Sequence, residues 1–563
     1  MNKLNRSKTM NKQFAFIAFA ALAAGTVMAQ DAIKAARGAR RFTDIAALPV
    51  TDPGAQIHYE GSIDRGGYNG DYFWGTYQDK HGDWVLMETD KPGCLYNFVQ
   101  HRSLSPKWEE WEGAPVFKFY FEGEDEPRFT ISRPEFGEKA PFLRPLSGIQ
   151  FGGGVRGFSI VRAFCPMEFR KGCKVTSTVK LRGNTASSTN SPNYGAGGWG
   201  HIMYHTYPDA EGLKTFDPKA DFTEVERLYE GELSAGFDAE AKTPAATLAP
   251  GGRRVAYKAT KRGTITDIAL TLPDFRLPDA PELGGTPFND PLLTNIWVEL
   301  SFDGKKRVEA PLATFYGSHI AFLKHPQPKG REDFAGTNGN MRTALLTFDI
   351  SGKNGRFSNR FPMPFWESAE VSFVNRGTAK VKLGDACVRT NSRLVYDRKT
   401  TGYFTADAYQ PLKPCKAKEN IFLGQLVGRG QLAYSAFAGL AYKGEASCEG
   451  DVRLFLDSLS APAVQSDGTE SWGNWGVGFF YGPRLNPFSF YLTYGYVNKE
   501  HNQPPKVQFF SRLKGWSLMR ETVVDCCYFD HFMRFELEHG EANAEDEAAL
   551  YGGQVFAYLL ERP

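Results

Sequence analysis

The chain has 563 residues, with 66 lysines and arginines against 64 aspartates and glutamates, which gives a formal net charge of +2. Phosphate binding needs a concentrated positive face, so this balance offers no electrostatic basis for nucleic-acid binding. Aromatic residues make up 14% of the chain and 58 residues are glycine, a composition typical of short strands joined by tight turns, in a chain long enough for two domains.

The first thirty residues have the features of a secretory signal peptide. Four basic residues precede the apolar run 14–22, and Val27 and Ala29 satisfy the small-residue rule for cleavage. We expect a signal peptide of residues 1–29 and a mature chain that is periplasmic or secreted, in a Gram-negative-like bacterium. No cysteine follows the cleavage point to accept a lipid, and no later run reaches roughly 18 apolar residues, so no membrane span is predicted.

Strand-like alternation of apolar and polar residues recurs along the mature chain. A period of two places one face of a segment inside and the other outside, which is the pattern of a half-buried strand. Helical periodicity is confined to the short segment 222–229. The sequence therefore predicts an all-β fold of two tandem β-sandwich domains with few short helices. The alternating segments are 116–121, 344–350, 369–374, 452–457, 488–492 and 532–537.

A change of composition divides the predicted domains. Residues 229–254 are rich in alanine, glycine and proline and are typical of a link between two sheet domains. We therefore predict an N-terminal domain of residues 30–245 and a C-terminal domain of residues 246–563. The polar stretch 182–200 is predicted to be a long loop within the first of them, and loops of this length are usually functional or mobile.

Eight cysteines in an exported chain permit disulfides without making a disulfide scaffold. Cys165 and Cys173 form the most plausible local pair. The remaining cysteines are interpreted equally well as buried thiols. No Cys-x-x-Cys pair is present to indicate zinc or redox chemistry.

Two glutamates in the C-terminal half form a candidate catalytic pair. Glu449 begins an alternating strand, and Glu470 lies 21 residues later in a loop rich in glycine and tryptophan. A strand, a turn and a return would bring both carboxyl groups to one rim, where one can act as an acid and the other as a nucleophile on an acetal. The pattern alone does not separate them from Asp451, Asp457 and Asp467, or from the solvated end of a strand.

A pair of histidines and a pair of tryptophans each allow two interpretations. His201 and His205 have the spacing of a helical metal pair, but they follow a loop in a predicted strand and lack a third ligand. Core or sugar-contacting histidines are therefore favoured, and no metal site is predicted. Trp472 and Trp475 directly follow Glu470, where they could form a stacking platform for a sugar or fill the core beneath the loop.

Seven short motifs, in order along nearly the whole mature chain, resemble glycoside hydrolase family 172. The resemblance implies two β-jelly rolls per subunit, trimers or dimers of trimers, and hydrolysis or transfer of furanosides with retention. Known activities of such families include α-D-fructofuranosidase, also on difructose dianhydride, and D-arabinofuranosidase. The motifs occupy residues 62–69, 90–95, 121–127, 315–317, 361–369, 449–451 and 468–470.

On this resemblance Glu449 is the nucleophile and Glu470 the acid/base, and neither a metal nor an organic cofactor is needed. The resemblance also favours Asp64, Arg65 and Asn69 as ligands for sugar hydroxyls; without it, an Asp-Arg pair is more often a structural salt bridge.

The expected partner is an oligosaccharide or polysaccharide furanoside, bound also by His201, Trp472 and Trp475. The family usually has the motif Gly-Thr-Glu-Asp-Tyr-Phe, whereas this chain has Gly468-Thr-Glu-Ser-Trp-Gly473. The three residues after the glutamate therefore differ. This departure keeps open a non-catalytic carbohydrate-binding or assembly protein, and an inverting hydrolase remains a further alternative.

Overall fold

The computed structural model describes most of the mature chain. The described residues are 31–64, 73–75, 77–102, 115–151, 159–182, 199–226, 233–275, 291–317, 341–351, 354–441, 446–447, 450–474, 484–496, 512–540, 543 and 549–561. Four predicted site residues, Arg65, Asn69, Glu449 and Trp475, lie outside them. Within these ranges no helix is long and apolar enough to cross a membrane.

Helices are short and few. The α-helices are α1 (Thr223–Glu226), α2 (Pro291–Asn295), α3 (Leu312–Phe315) and α4 (Thr469–Trp472). The 3-10 helices are Gly38–Phe42, Ile45–Ala47 and Arg133–Glu135. Everything else that is regular is strand, so the predicted all-β fold class is confirmed.

Fourteen strands of the first sandwich lie within the described residues. Its larger sheet has the order β1-β14-β4-β10-β9, with β11 on β4, and its smaller sheet has the order β3-β12-β5-β6; β2 pairs with β13 and β7 with β8. The strands are β1 (Gln56–Gly61), β2 (Phe73–Trp74), β3 (Trp84–Thr89), β4 (Gly93–Arg102), β5 (Val116–Phe121), β6 (Phe129–Ser132), β7 (Glu138–Lys139), β8 (Phe142–Leu143), β9 (Ser147–Phe151), β10 (Ser159–Ala163), β11 (Met167–Phe169), β12 (Cys173–Ser177), β13 (Leu181–Arg182) and β14 (Gly200–Thr206).

The second sandwich begins at the predicted interdomain link. Its larger sheet has the order β15-β27-β18-β23-β22-β21, with β24 on β18, and its smaller sheet has the order β17-β25-β19-β20; β16 pairs with β26. The strands are β15 (Ala239–Thr243), β16 (Ala246–Leu248), β17 (Arg253–Ala259), β18 (Gly263–Leu272), β19 (Ile296–Phe302), β20 (Lys305–Pro311), β21 (Met341–Arg342), β22 (Leu346–Ser351), β23 (Asn354–Asn359), β24 (Met363–Phe365), β25 (Ala369–Asn375), β26 (Val381–Leu383) and β27 (Ala386–Thr390).

The third sandwich carries the predicted catalytic region. Its larger sheet has the order β28-β40-β31-β37-β36-β35, with β29 on β40, β32 on β37 and β38 on β31, and its smaller sheet has the order β30-β39-β33-β34. The strands are β28 (Tyr403–Ala406), β29 (Gln410–Pro414), β30 (Ile421–Val427), β31 (Gly430–Ala441), β32 (Ala446–Ser447), β33 (Val452–Leu456), β34 (Val464–Gln465), β35 (Arg484–Asn486), β36 (Ser489–Tyr496), β37 (Arg512–Glu521), β38 (Tyr528–Phe529), β39 (Phe532–Leu537) and β40 (Ala549–Leu559).

All three sandwiches have the same jelly-roll topology. When the eight principal strands of each are numbered along the chain, one sheet has the order first, eighth, third and sixth, and the facing sheet has the order second, seventh, fourth and fifth. These are β1-β14-β4-β10 facing β3-β12-β5-β6, β15-β27-β18-β23 facing β17-β25-β19-β20, and β28-β40-β31-β37 facing β30-β39-β33-β34. This order is that of two interlocked Greek keys.

The sequence predicted two sandwiches, whereas the described strands form three pairs of sheets. The second pair lies within residues 239–390, which fall mostly in the predicted C-terminal domain. Its connection to the third is short and packed, since Thr51 N donates to Thr400 O at 2.9 Å and Tyr396 Oη donates to Ala46 O at 2.8 Å. A packed connection needs no glycine- or proline-rich composition, so it left no linker signal.

The sandwiches are joined through continuous apolar cores. The core of the second extends onto the outer face of the third, where Tyr434 and Phe556 stack with ring centroids 4.2 Å apart. The core of the third extends to the first, because Ile57, Tyr59 and Met203 pack into it. The junction between the first and third sandwiches is therefore a buried interface, and the candidate site lies there.

The predicted bridge between Cys165 and Cys173 is wrong. Both are free thiols, as are the other five cysteines in the described part of the chain. Both side chains pack in the phenylalanine-rich core of the first sandwich, and burial raises the pKa of each thiol.

Candidate active site

Glu470 lies in the single-turn helix α4, which is buried throughout. Gly468 precedes this helix with φ +130°, a backbone conformation that side chains rarely adopt. A Cβ at Gly468 would meet Glu470 Oε2 at 2.6 Å, so the glycine leaves room for the carboxyl group. Glu470 itself is only 7% exposed.

The segment with Glu470 is hydrogen-bonded to the segment that follows position 449. Strand β33 pairs with β34 in the register Arg453↔Gln465, which is the predicted strand, turn and return. Beyond the paired strands, Thr469 Oγ1 donates to Gly450 O at 2.7 Å. The neighbour of Glu470 thus binds the neighbour of Glu449, while Glu449 lies outside the described residues.

Two further carboxyl groups are buried beside this link. Gln465 Nε2 donates to Asp451 Oδ2 at 2.7 Å, and Asp451 N donates to Glu538 Oε2 at 3.3 Å. Burial raises the pKa of Glu538, and Arg453 at 3.3 Å opposes that rise. Gly450 is also fixed by space, since a Cβ there would meet Glu538 O at 1.8 Å.

The first sandwich supplies the other wall of the site. Ser62, just after β1, donates its hydroxyl to Asp467 Oδ2. His201 on β14 donates through Nε2 to Asn474 Oδ1 at 3.0 Å, and Asn97 on β4 donates to the same oxygen at 3.3 Å. Residues far apart in sequence therefore hold both sides of α4 against the first sandwich.

Two buried histidines face this junction in the neutral state. Burial lowers the pKa of His101 to about 4 and that of His201 to about 3, and the negative charge of Asp467 opposes both shifts. The ring of His201 stacks on Tyr59 with centroids 4.7 Å apart. Near neutral pH these imidazoles serve as hydrogen-bonding groups rather than as cations. No cluster of ligands suited to a metal ion occurs among the described residues.

Buried polar atoms without a hydrogen-bond partner in the described part of the chain are concentrated here. Native proteins leave few such atoms, because each costs about 1–3 kcal/mol. Their concentration suits a ligand that offers several donors and acceptors, or ordered water. The atoms are His101 Nε2, His201 Nδ1, Asp467 Oδ1, Ser471 Oγ, Asn474 Nδ2, Arg520 Nε and Nη1, and Asp525 Oδ1.

Trp472 is a core residue, the second of the two alternatives. Its side chain is fully buried, its Nε1 donates to Ser435 Oγ at 3.1 Å, and its ring lies 5.6 Å from that of Phe535. The guanidinium of Arg520 covers the indole at 4.1 Å and forms a buried ion pair with Asp525.

The structure brings together four of the predicted residues. Glu470, Trp472 and His201 meet through α4, and the backbone carbonyl of Asp64 accepts from Gln465 Nε2 at 3.4 Å. His205 lies in the core, with Nε2 on Cys526 O at 2.7 Å.

Sequence reasoning did not single out His101, Asn474, Arg520 or Asp525. Asp467 was among the carboxylates that the pattern could not separate. No sequence signal marks these residues, because each acts across the junction between two sandwiches.

Comparison with known proteins finds a match to one protein-family model. The sequence model of the GH172 first beta-sandwich domain matches residues 53–224, the segment that forms the first sandwich. No curated protein matches the chain.

Three solved structures of viral proteins show remote likeness. A chain of Sulfolobus turreted icosahedral virus has a TM-score of 0.29 at 9% identity, covering 57% of this chain and 91% of that one. The mavirus major capsid protein has a TM-score of 0.19 at 9% identity, covering 58% and 85%. A chain of infectious bursal virus-derived T=1 particles has a TM-score of 0.12 at 7% identity, covering 92% and 76%.

Proposed function

Because this chain belongs to glycoside hydrolase family 172, whose first β-sandwich domain its residues 53–224 match, we propose that it hydrolyses furanosides with retention through Glu449 and Glu470. The family supports a glycoside hydrolase-type function. We further propose that the substrate is a furanoside of the D-arabinofuranoside or α-D-fructofuranoside type and that the reaction is a double displacement.

One observation carries the assignment of the pair. Thr469 and Gly450, the immediate neighbours of the two glutamates, are joined by a 2.7 Å hydrogen bond at the end of the β33–β34 hairpin. A retaining enzyme needs its two carboxyl groups about 5 Å apart, on either side of the anomeric carbon. Adjacent backbone segments make such a separation attainable.

In the proposed reaction Glu449 attacks the anomeric carbon and the leaving oxygen takes a proton from Glu470. Water then attacks the glycosyl-enzyme, and Glu470 removes its proton as base. The glycosidic bond breaks in the first step and the ester to Glu449 breaks in the second. Glu470 recovers from water the proton that it gave to the leaving oxygen, and Glu449 is released as a carboxylate, so the scheme balances without a cofactor.

Polar groups at the junction between the first and third sandwiches support the choice of a sugar substrate. Asp467, His201 and Asn474 each have a buried atom without a partner among the described residues, and sugar hydroxyls can both donate to and accept from such atoms. We place Asp64, Arg65 and Asn69, on the segment after β1, among the groups that contact the substrate. Export through the signal peptide of residues 1–29 and assembly as a trimer or hexamer complete the proposal.

Turnover on a panel of 4-nitrophenyl furanosides tests this function. The panel comprises α-D-arabinofuranoside, α-L-arabinofuranoside, β-D-fructofuranoside and α-D-fructofuranoside. We expect the wild-type mature chain to release nitrophenol from one of them and Glu470→Gln to lose that activity while keeping its melting temperature. A near-normal rate in Glu470→Gln would overturn the assignment. If the wild type releases no nitrophenol from any of the four substrates but binds sugar, the non-catalytic alternative suggested by the altered residues after Glu470 would be favoured.

A further inference from the structure

A second cleft lies at the other end of strand β1, also between the first and third sandwiches. Its volume is about 450 Å³, within the usual range for small-molecule pockets. One wall is formed by residues 51–58, at and before the start of β1, and the opposite wall is formed by Arg429, Asp457 and residues 528–530.

Two carboxylates, Asp457 and Asp52, hold the walls of this cleft in place by accepting hydrogen bonds. Asp457, at φ +59°, accepts from the backbone N–H groups of Asp530 at 2.8 Å, His531 at 2.6 Å and Phe532 at 3.0 Å. On the opposite wall, Asp52 accepts from Arg37 Nε at 2.6 Å and Nη2 at 2.8 Å. A ligand that enters a preformed cleft loses little free energy to ordering the protein.

The rim presents hydrogen-bond donors and acceptors side by side. Arg429 Nε lies 2.7 Å from Asp530 Oδ1, and the two side chains are 49% and 51% exposed. Because each side chain is about half exposed, both offer polar atoms to a ligand at the rim. Neighbouring sugar hydroxyls, each both donor and acceptor, match such a pair.

Aromatic surface and a neutral imidazole line the interior. Phe529 lines the cleft but is 2% exposed and packs into the core of the third sandwich, whereas Tyr528 is partly exposed. Sugars present apolar faces that pack on aromatic rings such as that of Tyr528. Burial lowers the pKa of His58 to about 4, so this imidazole is neutral near pH 7. Its Nε2 pairs with Thr206 Oγ1 at 2.9 Å.

The charge balance argues against an ionic ligand. The positive charge of Arg429 is offset by Asp530. Asp52 is neutralised by Arg37, and both oxygens of Asp457 accept backbone N–H groups. A phosphate would find no surplus of cations, and a metal ion would find carboxylates that already have partners.

We propose that this cleft binds a neutral oligosaccharide at a site separate from the reaction centre. Strand β1 joins the two sites: Ile57 lines the cleft, and Ser62, five residues later, contacts Asp467 at the candidate active site. At about 3.3 Å per residue the two positions lie roughly 16 Å apart, which exceeds one sugar ring. The cleft therefore holds a distant part of a chain, or a separate chain, and this binding goes beyond the proposed hydrolysis.

Calorimetric titration with short linear oligosaccharides of arabinose, fructose and xylose tests the proposal. The titrations use Glu470→Gln as the background, so that no probe is consumed. We expect at least one probe to bind, with Kd about tenfold higher after Arg429→Ala or Asp530→Ala, a change of about 1.4 kcal/mol. Arg342→Ala is the matched control, since it removes another exposed ion pair, with Asp349 at 3.3 Å, and should leave Kd unchanged.

The proposal is overturned if no probe binds, or if neither substitution at the cleft weakens binding. It is also overturned if inorganic phosphate, titrated alone, binds in a manner that Arg429→Ala abolishes, or if calcium chloride, titrated alone, binds in a manner that Asp530→Ala abolishes. Turnover of nitrophenyl furanosides separates this inference from the proposed function. Arg429→Ala should leave kcat/KM on these small substrates unchanged. A chain that binds oligosaccharide in the cleft but never hydrolyses a furanoside refutes the proposed function and retains the cleft.

Discussion

Replacing Asn474 should show how firmly the first sandwich holds the helix of Glu470. Asn474 follows α4 with φ +58°, a left-handed conformation that asparagine tolerates better than alanine. Its Oδ1 accepts from His201 at 3.0 Å and from Asn97 at 3.3 Å, and both donors are buried. Asn474→Ala therefore removes an acceptor shared by two donors and adds backbone strain.

The expected cost follows from these contacts. A buried His201 N–H without its acceptor costs about 1–3 kcal/mol, and the longer bond from Asn97 contributes about 0.5–1 kcal/mol. The left-handed backbone adds about 1 kcal/mol for alanine. Asn474→Ala should therefore lower the free energy of unfolding by about 3 kcal/mol. Asn474→Gly loses the same hydrogen bonds without the strain, and should cost about 2 kcal/mol.

Urea titration followed by tryptophan fluorescence measures these differences. Asp274→Ala provides the control, because Asp274 has φ +57° in an exposed turn and should show the backbone cost alone. Furanosidase activity in both Asn474 variants should fall through kcat more than through KM, since α4 is no longer held. Wild-type stability in Asn474→Ala would refute the reasoning that this contact joins the two sandwiches.

Three further substitutions follow from single observations. Gly450→Ala should abolish soluble expression or cost several kcal/mol, because its Cβ would lie 1.8 Å from a backbone oxygen, whereas Gly148→Ala, with no atom within 4 Å of the Cβ, should be tolerated; equal thermal melting of the two would contradict this. Gly468→Ala should reduce kcat strongly with a smaller change in melting temperature, since its Cβ would lie 2.6 Å from the Glu470 carboxyl oxygen, and full activity would show that this carboxyl is not held there. Burial raises the pKa of Glu521 from 4.5 to about 8, so the folded chain retains a proton that the unfolded chain releases. Stability should consequently fall as the pH rises from about 4.5 to about 8, by roughly 5 kcal/mol for this group, and Glu521→Gln should flatten that profile in urea titrations at several pH values; an unchanged slope would refute the buried-acid assignment.

The strands were predictable because burial on one face leaves a period-two pattern. Segments 116–121 and 532–537 coincide with β5 and β39. The number of sandwiches was not predictable from composition, because the connection between the second and third is packed against residues 46–51 and carries no linker signature. Local alternation reports the burial of each strand, but not which sheets face each other.

One part of the candidate site was also predictable from the sequence, and another part was not. The return of the chain from β33 through β34 to Glu470 follows from a hairpin that sequence pattern can indicate. Asn474 and Arg520 acquire their roles from His201 and Trp472, through contacts that cross the junction between sandwiches or join distant strands. Single-sequence reasoning cannot find such pairs, since neither partner carries a local signal.

Mass spectrometry of a trapped intermediate tests the central claim most directly. In Glu470→Gln, a 4-nitrophenyl furanoside can still glycosylate the enzyme because nitrophenolate leaves without a proton, whereas the second step lacks its base. The account predicts that the chain gains the mass of one sugar and that the modified peptide carries the sugar on Glu449. A sugar on Asp451 or another carboxylate, or turnover by the wild type with inversion and no covalent adduct, would contradict it.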